Sequence, residues 1–351
     1  MPLVDIENLT VSFPQHEGLV QAVRGMTLRL EAGESLGLVG ESGSGKSVTC
    51  MAAMRLLRQP PARIAADRMQ LAGIDMLNAA PRQLSATRGK VAAMVFQDPM
   101  TAFDPVFTIG HQIAETIRAH RATTRPQAQT EAAALLARVE IKSPDTVLAS
   151  YPHQMSGGML QRAMIAMALS CRSQILLADE PTTALDVTIQ AQILSLIKDL
   201  QAEFGMVLIM VTHDLGVIAE TVDCVVVMYG GRVMEQGPVQ AIFDTPAYPY
   251  TKALLGSIPG RSPGKQRLVE IPGASPNPAD PPKGCPFHPR CRVAEAKCGS
   301  DTPDFTPISP HHAAPRCRRC EPDSAEKRHP WPYRRKRLGQ NHHRHDGSAS
   351  G

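Results

Sequence analysis

Polar and apolar residues alternate through residues 1–35. Leu3, Ile6, Leu9, Val11 and Phe13 recur at short spacing, followed by Val23, Met26, Leu28 and Leu30. This near two-residue period predicts antiparallel strands. The pattern then changes. Leu36-Gly37-Leu38-Val39 is a short apolar run feeding a glycine-rich loop, and Val48 to Leu57 reads as a helix. Val91–Phe96, Ile175–Ala178 and Val207–Val211 are nearly unbroken apolar runs. Such runs fit strands of a parallel sheet covered on both faces. From about 110 to 170 the pattern is helical and alanine-rich, as in Glu131 to Arg138. Val225–Met228 and Arg232–Glu235 flank Gly230-Gly231, a hairpin signal. Nine of the 31 residues from Pro259 to Pro289 are proline, which predicts a loop-built extension instead of helix or sheet. No internal repeat interrupts this order.

Composition narrows the function class. Hydrophobic residues make up 43% of 351, enough for a sizeable core in one large domain or two smaller ones. A net charge of +4 is weak for this length and gives no global attraction to nucleic acid. The charge is uneven, however: Arg334-Arg335-Lys336-Arg337 and His342, His343 and His345 load the C-terminal end. No apolar run approaches the roughly 18–20 residues that span a bilayer. The acidic start, Met1 to Glu7, lacks the apolar region of a signal peptide. The expectation is a cytosolic chain, with any membrane part supplied by other chains. Of eight cysteines, Cys50, Cys171 and Cys224 sit in apolar context and read as small buried residues. Cys285, Cys291, Cys298, Cys317 and Cys320 crowd the last quarter. In a reducing compartment such clustering suggests a metal more than disulfides.

Three stretches carry recognisable chemistry. Gly40-Glu41-Ser42-Gly43-Ser44-Gly45-Lys46-Ser47 is a complete phosphate loop between a predicted strand and a predicted helix. Its glycines let backbone N–H groups wrap the β- and γ-phosphates of a nucleotide at a helix N-terminus. Lys46 places a cation on the phosphate oxygens, and Ser47 offers a hydroxyl to Mg²⁺. Asp179-Glu180 ends a buried strand, where parallel sheets open their ligand crevice. Asp179 is expected to hold Mg²⁺, and Glu180 to orient or deprotonate the attacking water. Ser156-Gly157-Gly158 precedes a helix read from Gln161 to Leu169 and forms a second anion site.

In this order, with Gln97, Ala184-Leu185-Asp186 and His213, the motifs resemble the ATP-binding subunit of an ABC transporter. Tyr151 to Gly158 resembles the oligopeptide/dipeptide (peptide/nickel) permease branch, as do Tyr248 to Leu255 and Gly284 to Cys291. The resemblance covers roughly residues 1–320. It implies an α/β fold: a P-loop NTPase (RecA-like) core with an antiparallel β subdomain and an α-helical signature subdomain at about 98–170. A loop-rich, cysteine-containing C-terminal extension would follow. The implied division is an ATP-binding domain at 1–256, the Pro/Cys-rich extension at 257–320, and a basic, disordered tail at 321–351 that departs from the family.

The resemblance also implies roles. Gln97 would contact Mg²⁺ and the attacking water and signal to the membrane partner. His213 would bond the γ-phosphate, and Asp214 fits the pattern. Ser156, Gly157 and Gly158 would close on ATP held by the other subunit, with Asp186 at the same dimer interface. Met155 stands where the family usually has Leu, a volume-conserving swap. Phe13 stands where the family places an aromatic on adenine, a residue type suited to stacking. Some members hold a [4Fe-4S] cluster on four cysteines of the extension. Here Cys285, Cys291 and Cys298 match, with Cys317 as the fourth by position and Cys320 competing. Four thiolates suit iron–sulfur or zinc, although five- and six-residue spacings are wider than those of zinc ribbons.

The implied function is an ATP-driven importer motor for di- or oligopeptides at the cytoplasmic face of the inner membrane. Its implied partners are two transmembrane permease subunits, an extracytoplasmic solute-binding protein and a second ATP-binding subunit, a sister chain by resemblance, with a homodimer as the alternative. Nickel, opines or glycosides are alternative solutes. A soluble ABC ATPase of translation or DNA repair would pair two motor domains in one chain or insert long coiled coils, and neither occurs here. A nucleic-acid motor would interleave aromatics with its cations, and only Trp331 and Tyr333 do so.

Overall fold

Two strands, β1 (Val4–Gln15) and β2 (Gly18–Leu30), open the chain as an antiparallel pair. Their buried residues do not keep a strict period of two. Ile6 is followed inward by Leu9, and Val23 by Met26. The pairing shifts at that point, where Asn8 has φ 53° and Gly25 has φ 88°. An extra residue on each strand restores the alternation by bending the ladder. The structure is a computed structural model; it describes residues 1–15, 18–183, 185–258 and 270–303, and the backbone of 305–309 and 312–315.

The chain continues through β3 (Ser35–Val39) and α1 (Lys46–Ala53), then three short strands: β4 (Arg63–Ala65), β5 (Arg68–Leu71) and β6 (Ile74–Asp75). After α2 (Pro81–Thr87) and β7 (Ala92–Val95) comes a helical segment: α3 (Ile109–His120), α4 (Arg125–Arg138), α5 (Pro144–Ala149) and α6 (Gly157–Ser170). The remainder alternates as β8 (Ile175–Asp179), α7 (Val187–Phe204), β9 (Val207–Val211), α8 (Leu215–Thr221) and β10 (Cys224–Tyr229). It closes with β11 (Arg232–Pro238), α9 (Val239–Asp244), α10 (Pro249–Gly256), β12 (Phe305–Ser309) and β13 (His312–Pro315).

Among the described residues the strands form two sheets. A five-stranded antiparallel sheet runs β2-β1-β5-β6, with β4 on β1, and an eight-stranded sheet runs β12-β13-β11-β10-β3-β9-β8-β7. From β10 to β7 the larger sheet is parallel. Its apolar runs serve both faces, because successive side chains point to opposite sides. Leu176, Ala178, Leu208 and Met210 join the core under the helical segment. Ile175, Leu177, Val207, Ile209 and Val211 join a second core with α1 and the smaller sheet. This is the expected α/β layering of a phosphate-loop core, an antiparallel sheet and a helical layer.

Three expectations change. The helix read from Val48 to Leu57 runs from Lys46 to Ala53, so it begins inside the glycine loop. The helix read from Gln161 begins at Gly157, with Ser156 as its cap. The loop-built reading of the extension needs one addition, since β13 pairs with β11 and brings β12 to the edge of the large sheet. Between 270 and 303 the described extension holds only short turns at His288–Arg290 and Ala296–Gly299. Cys50 and Cys171 are buried, as read, while Cys224 is only partly so. Ala184, Cys317, Cys320, Trp331, Tyr333 and the 321–351 tail lie outside the described residues.

Candidate functional site

Strands β3, β9, β8 and β7 are consecutive and parallel, so their carboxyl ends share one edge of the sheet. Each end delivers one motif: Gly40 after β3, His213 after β9, Asp179-Glu180 at β8 and Gln97 after β7. A sheet of this kind opens its crevice at that edge.

The phosphate loop needs its glycines for two separate reasons. Gly40, Gly43 and Gly45 have φ of 148°, 77° and 101°, which L side chains adopt only with strain. A Cβ on Gly40 would also lie 2.1 Å from the Met228 carbonyl oxygen, and one on Gly45 would lie 2.3 Å from that of Ala22. Lys46 turns back over the loop. Its Nζ donates to the carbonyls of Gly40 at 2.8 Å and Glu41 at 2.9 Å, and to Ser44 Oγ at 3.2 Å. Burial holds the ammonium below the usual lysine range, while the carboxylates of Glu180, Asp179 and Glu41 pull it back up. An anion placed there would favour the charged form further.

Ser47, in the first turn of α1, donates from Oγ to Asp179 Oδ1 at 2.8 Å. Burial pushes the Asp179 carboxyl above its usual range; Glu180 adds to this, while Ser47 and Lys46 oppose it. A hydroxyl and a carboxylate this close form a hard oxygen pair, which is the donor chemistry Mg²⁺ takes. The residues fit that ion. Glu180 is held on every side. Gln97 Nε2 donates to its Oε2 at 3.0 Å, and His213 Nδ1 lies 3.1 Å from its Oε1. Its backbone has φ 47°, unusual for a residue with a side chain, and its N–H donates to the Val211 carbonyl at 2.9 Å.

Other sequence-read residues lie apart from this cluster. Ser156 Oγ caps α6, accepting from Met159 N–H at 3.4 Å, and Ser156 and Gly157 are exposed. Asp186 Oδ1 likewise caps α7, accepting from Ile189 N–H at 3.0 Å. Among the described residues no hydrogen bond joins Ser156, Gly157, Gly158 or Asp186 to the phosphate loop. Phe13 is half-buried against the second core.

The described cysteines do not by themselves form a metal-holding group. Cys285 is buried, and its Sγ lies 2.8 Å from the Tyr248 hydroxyl. Burial pushes this thiol up, while the Tyr248 hydroxyl opposes the shift. Cys291 and Cys298 pack against the main apolar core. Among the described residues no group of three or more His, Cys, Asp or Glu side chains is arranged to hold a metal. The expected fourth ligand, Cys317, is outside them.

Residues 23–183 match the family described as ABC transporter, and residues 234–298 match the one described as oligopeptide/dipeptide transporter, C-terminal region. Over 313 residues the chain is 47% identical to the probable peptide ABC transporter ATP-binding protein y4tR of Sinorhizobium fredii (strain NBRC 101917 / NGR234), covering 89% of this chain and 93% of the relative. This chain belongs to the ABC transporter ATP-binding protein family. The glutathione import ATP-binding protein GsiA of Escherichia coli (strain K12) is 52% identical over 259 residues; the match takes in 72% of this chain but only 42% of GsiA. Among solved structures, a dimeric post-hydrolysis state of the ATP-binding cassette MJ0796 bound to ADP and Pi aligns with a TM-score of 0.60 at 26% identity, covering 67% of this chain and 98% of that one.

Three residues of this ABC ATPase escaped the sequence reading. Gln161 is fully buried, and its Nε2 donates to the Glu180 carbonyl at 3.2 Å. It lies five residues beyond the Ser156 cap, and a glutamine in a run of apolar helix positions is the signal that could have found it. Tyr250 and Arg290 both reach Glu41 of the phosphate loop, from α10 and from the extension. No local pattern announces either contact. Among the described residues no helix is long and apolar enough to cross a membrane.

Proposed function

We propose that this ATPase is the motor subunit of an importer for di- or oligopeptides. The observation that carries the reading is the gathering of Ser47 with Asp179, and of Gln97 and His213 with Glu180, at one sheet edge, in a chain whose later part matches the oligopeptide/dipeptide transporter C-terminal region. The named activities of the two relatives, peptide transport and glutathione import, support a peptide cargo. The loop glycines, Glu41, Ser42 and Ser44 wrap the phosphates through backbone N–H groups, and Lys46 binds their oxygens. Ser47, Asp179 and Gln97 would hold Mg²⁺, which neutralises charge on the transferring phosphate. Glu180 accepts the proton of the attacking water as general base. Gln97 and His213 fix the orientation of its carboxylate, and His213 then faces the γ-phosphate. Phe13 offers a ring to adenine.

The exposed helix start at Ser156-Gly157-Gly158 suits an anion held by another subunit, since its N–H groups have no partner in the phosphate loop. The reading is therefore a head-to-tail dimer, with Asp186 at its interface and a sister ATPase as the second subunit. Met100, Val106 and Phe107 are exposed apolar residues on the segment just after Gln97. They support docking of two membrane permease subunits there, which would hold the chain at the cytoplasmic face of the inner membrane. An extracytoplasmic protein would deliver the solute, and no nucleic acid is involved. We divide the chain into a motor at 1–256, with its helical subdomain at about 98–170, an extension at 257–320 and a tail at 321–351.

Uptake of a labelled dipeptide in cells carrying wild-type protein or Lys46→Ala tests this reading. Loss of uptake with the variant is expected. Unchanged uptake, with the variant inactive as an ATPase, would reject the peptide cargo and turn the search to nickel and other small solutes.

A further inference from the structure

Glu41 belongs to the phosphate loop, yet its side chain is held from near the other end of the sequence. Arg290 Nη1 donates to Glu41 Oε2 at 2.7 Å, and Ser275 Oγ donates to the same oxygen. The pair is largely sequestered, with side-chain exposures of 8% for Arg290 and 22% for Glu41. The guanidinium is itself fixed by the extension. Its Nε donates to the Pro272 carbonyl at 2.8 Å, its Nη2 to that of Ile271 at 3.2 Å, and Nη1 also reaches the Tyr229 hydroxyl at 3.1 Å. Five N–H groups in a planar fork allow this pattern, which a lysine could only partly reproduce.

The backbone of Glu41 is held as well. Its N–H donates to the Tyr250 hydroxyl at 2.9 Å. Tyr250, Tyr229 and Phe287 pack with ring centroids 4.6 to 5.3 Å apart, joining α10, β10 and the extension into one support. The loop they brace has glycines at both flanks, Gly40 and Gly43, both at positive φ. A loop so free would lose entropy on closing round a ligand unless something ordered it first.

Charge makes the arrangement matter for ATP. Glu41 puts a carboxylate beside the site of a polyanion. At short range through protein, two like charges repel appreciably. Arg290 stands against that carboxylate and cancels it.

We infer that Arg290 tunes nucleotide binding by neutralising the Glu41 carboxylate, so that the phosphate loop can accept a triphosphate without repulsion from its own acid. This rests on the reading that the loop binds ATP. It gives the C-terminal extension a part in the motor that does not depend on its cysteines.

The test uses the full chain as wild type, Arg290→Ala, Arg290→Lys, Glu41→Gln and the double variant Arg290→Ala/Glu41→Gln. Mg-ATP affinity is measured by calorimetric titration, and KM and kcat by phosphate release. Arg290→Ala is expected to weaken ATP binding and raise KM roughly tenfold, with a much smaller fall in kcat. Arg290→Lys should fall between it and wild type. The double variant should regain most of the lost affinity, because the unpaired carboxylate is gone. A purely structural role predicts no such rescue, so a double variant as weak as Arg290→Ala would overturn the inference. Wild-type affinity in Arg290→Ala would do the same. If Arg290→Ala does not fold, Glu41→Gln decides: it must bind ATP at least as tightly as wild type, and weaker binding overturns the inference. Absence of ATP binding by wild type would instead sink the reading of the loop itself.

Discussion

His213 Nδ1 lies 3.1 Å from Glu180 Oε1, although the two residues follow different strands. The other oxygen of the same carboxylate accepts from Gln97 Nε2 at 3.0 Å. A carboxylate engaged at both oxygens cannot rotate freely, and a general base works only in a narrow range of orientations. Glu180→Gln keeps the shape and removes the base. Hydrolysis should fall by roughly 10²- to 10⁴-fold while ATP stays bound. Phosphate release, followed together with retained labelled ATP, checks this. Turnover near the wild-type rate would remove Glu180 from its role.

Gln161 acts on the same residue from behind. Glu180 holds a left-handed backbone conformation, at a cost on the order of 1–3 kcal/mol. Its carbonyl accepts from Gln161 Nε2 at 3.2 Å and from Thr183 Oγ1 at 2.7 Å. Gln161→Leu removes one of these holds. The loss in stability should be about 1 kcal/mol, and the loss in kcat roughly tenfold, since small displacements of a base are expensive. ATP affinity should change far less. Chemical denaturation and steady-state kinetics on the same preparation separate the two effects, and a fall in affinity matching that in kcat would count against a role confined to Glu180.

The loop glycines make a contrast that one experiment reads. A Cβ on Gly45 meets the Ala22 carbonyl oxygen at 2.3 Å, and that oxygen belongs to β2 and cannot yield. A Cβ on Gly43 meets nothing within 4 Å, so only its φ of 77° resists substitution. Gly43→Ala should cost roughly 1–2 kcal/mol. Gly45→Ala should cost more, about 3 kcal/mol or above, and should abolish ATP binding. Equal melting temperatures for the two variants would show that close approach does not set the glycine at position 45.

Parts of this site were legible in the sequence because they are chemistry at fixed local spacing. Gly40 to Ser47 and Asp179-Glu180 announce a phosphate loop and an acidic strand end without any coordinates. The near-continuous apolar runs foretold strands buried on both faces. Strand order was not legible. That β9 lies between β3 and β8, which brings His213 onto Glu180, depends on pairings between distant segments. The same is true of Arg290 and Glu41, which are 249 positions apart. The cysteines were legible only as a spacing: among the described residues they form no group arranged to hold a metal. Spacing did not reveal that the Cys285 Sγ lies 2.8 Å from the Tyr248 hydroxyl, 37 positions away.

Asp179 carries a conflict between stability and function, and pH exposes it. Burial raises its carboxyl pKa in the folded chain, chiefly through desolvation, above the ordinary value of 3.8. Below the unfolded value both states are protonated, and the group costs nothing. As pH rises past it, the unfolded chain ionises more readily than the folded one, so folding is progressively penalised until the folded group ionises too. The full penalty is present at neutral pH. Asp179→Asn keeps an oxygen that can accept from Ser47 Oγ and removes the charge. The variant should therefore melt higher than wild type at neutral pH. That advantage should shrink as pH falls toward 4. The same variant should lose Mg²⁺-dependent hydrolysis, because the neutral amide is a poor ligand for a hard cation. Thermal melts across pH, without nucleotide, check the first part. A stability gain that is independent of pH, or a loss at neutral pH, would show that the carboxylate is not strained by its burial.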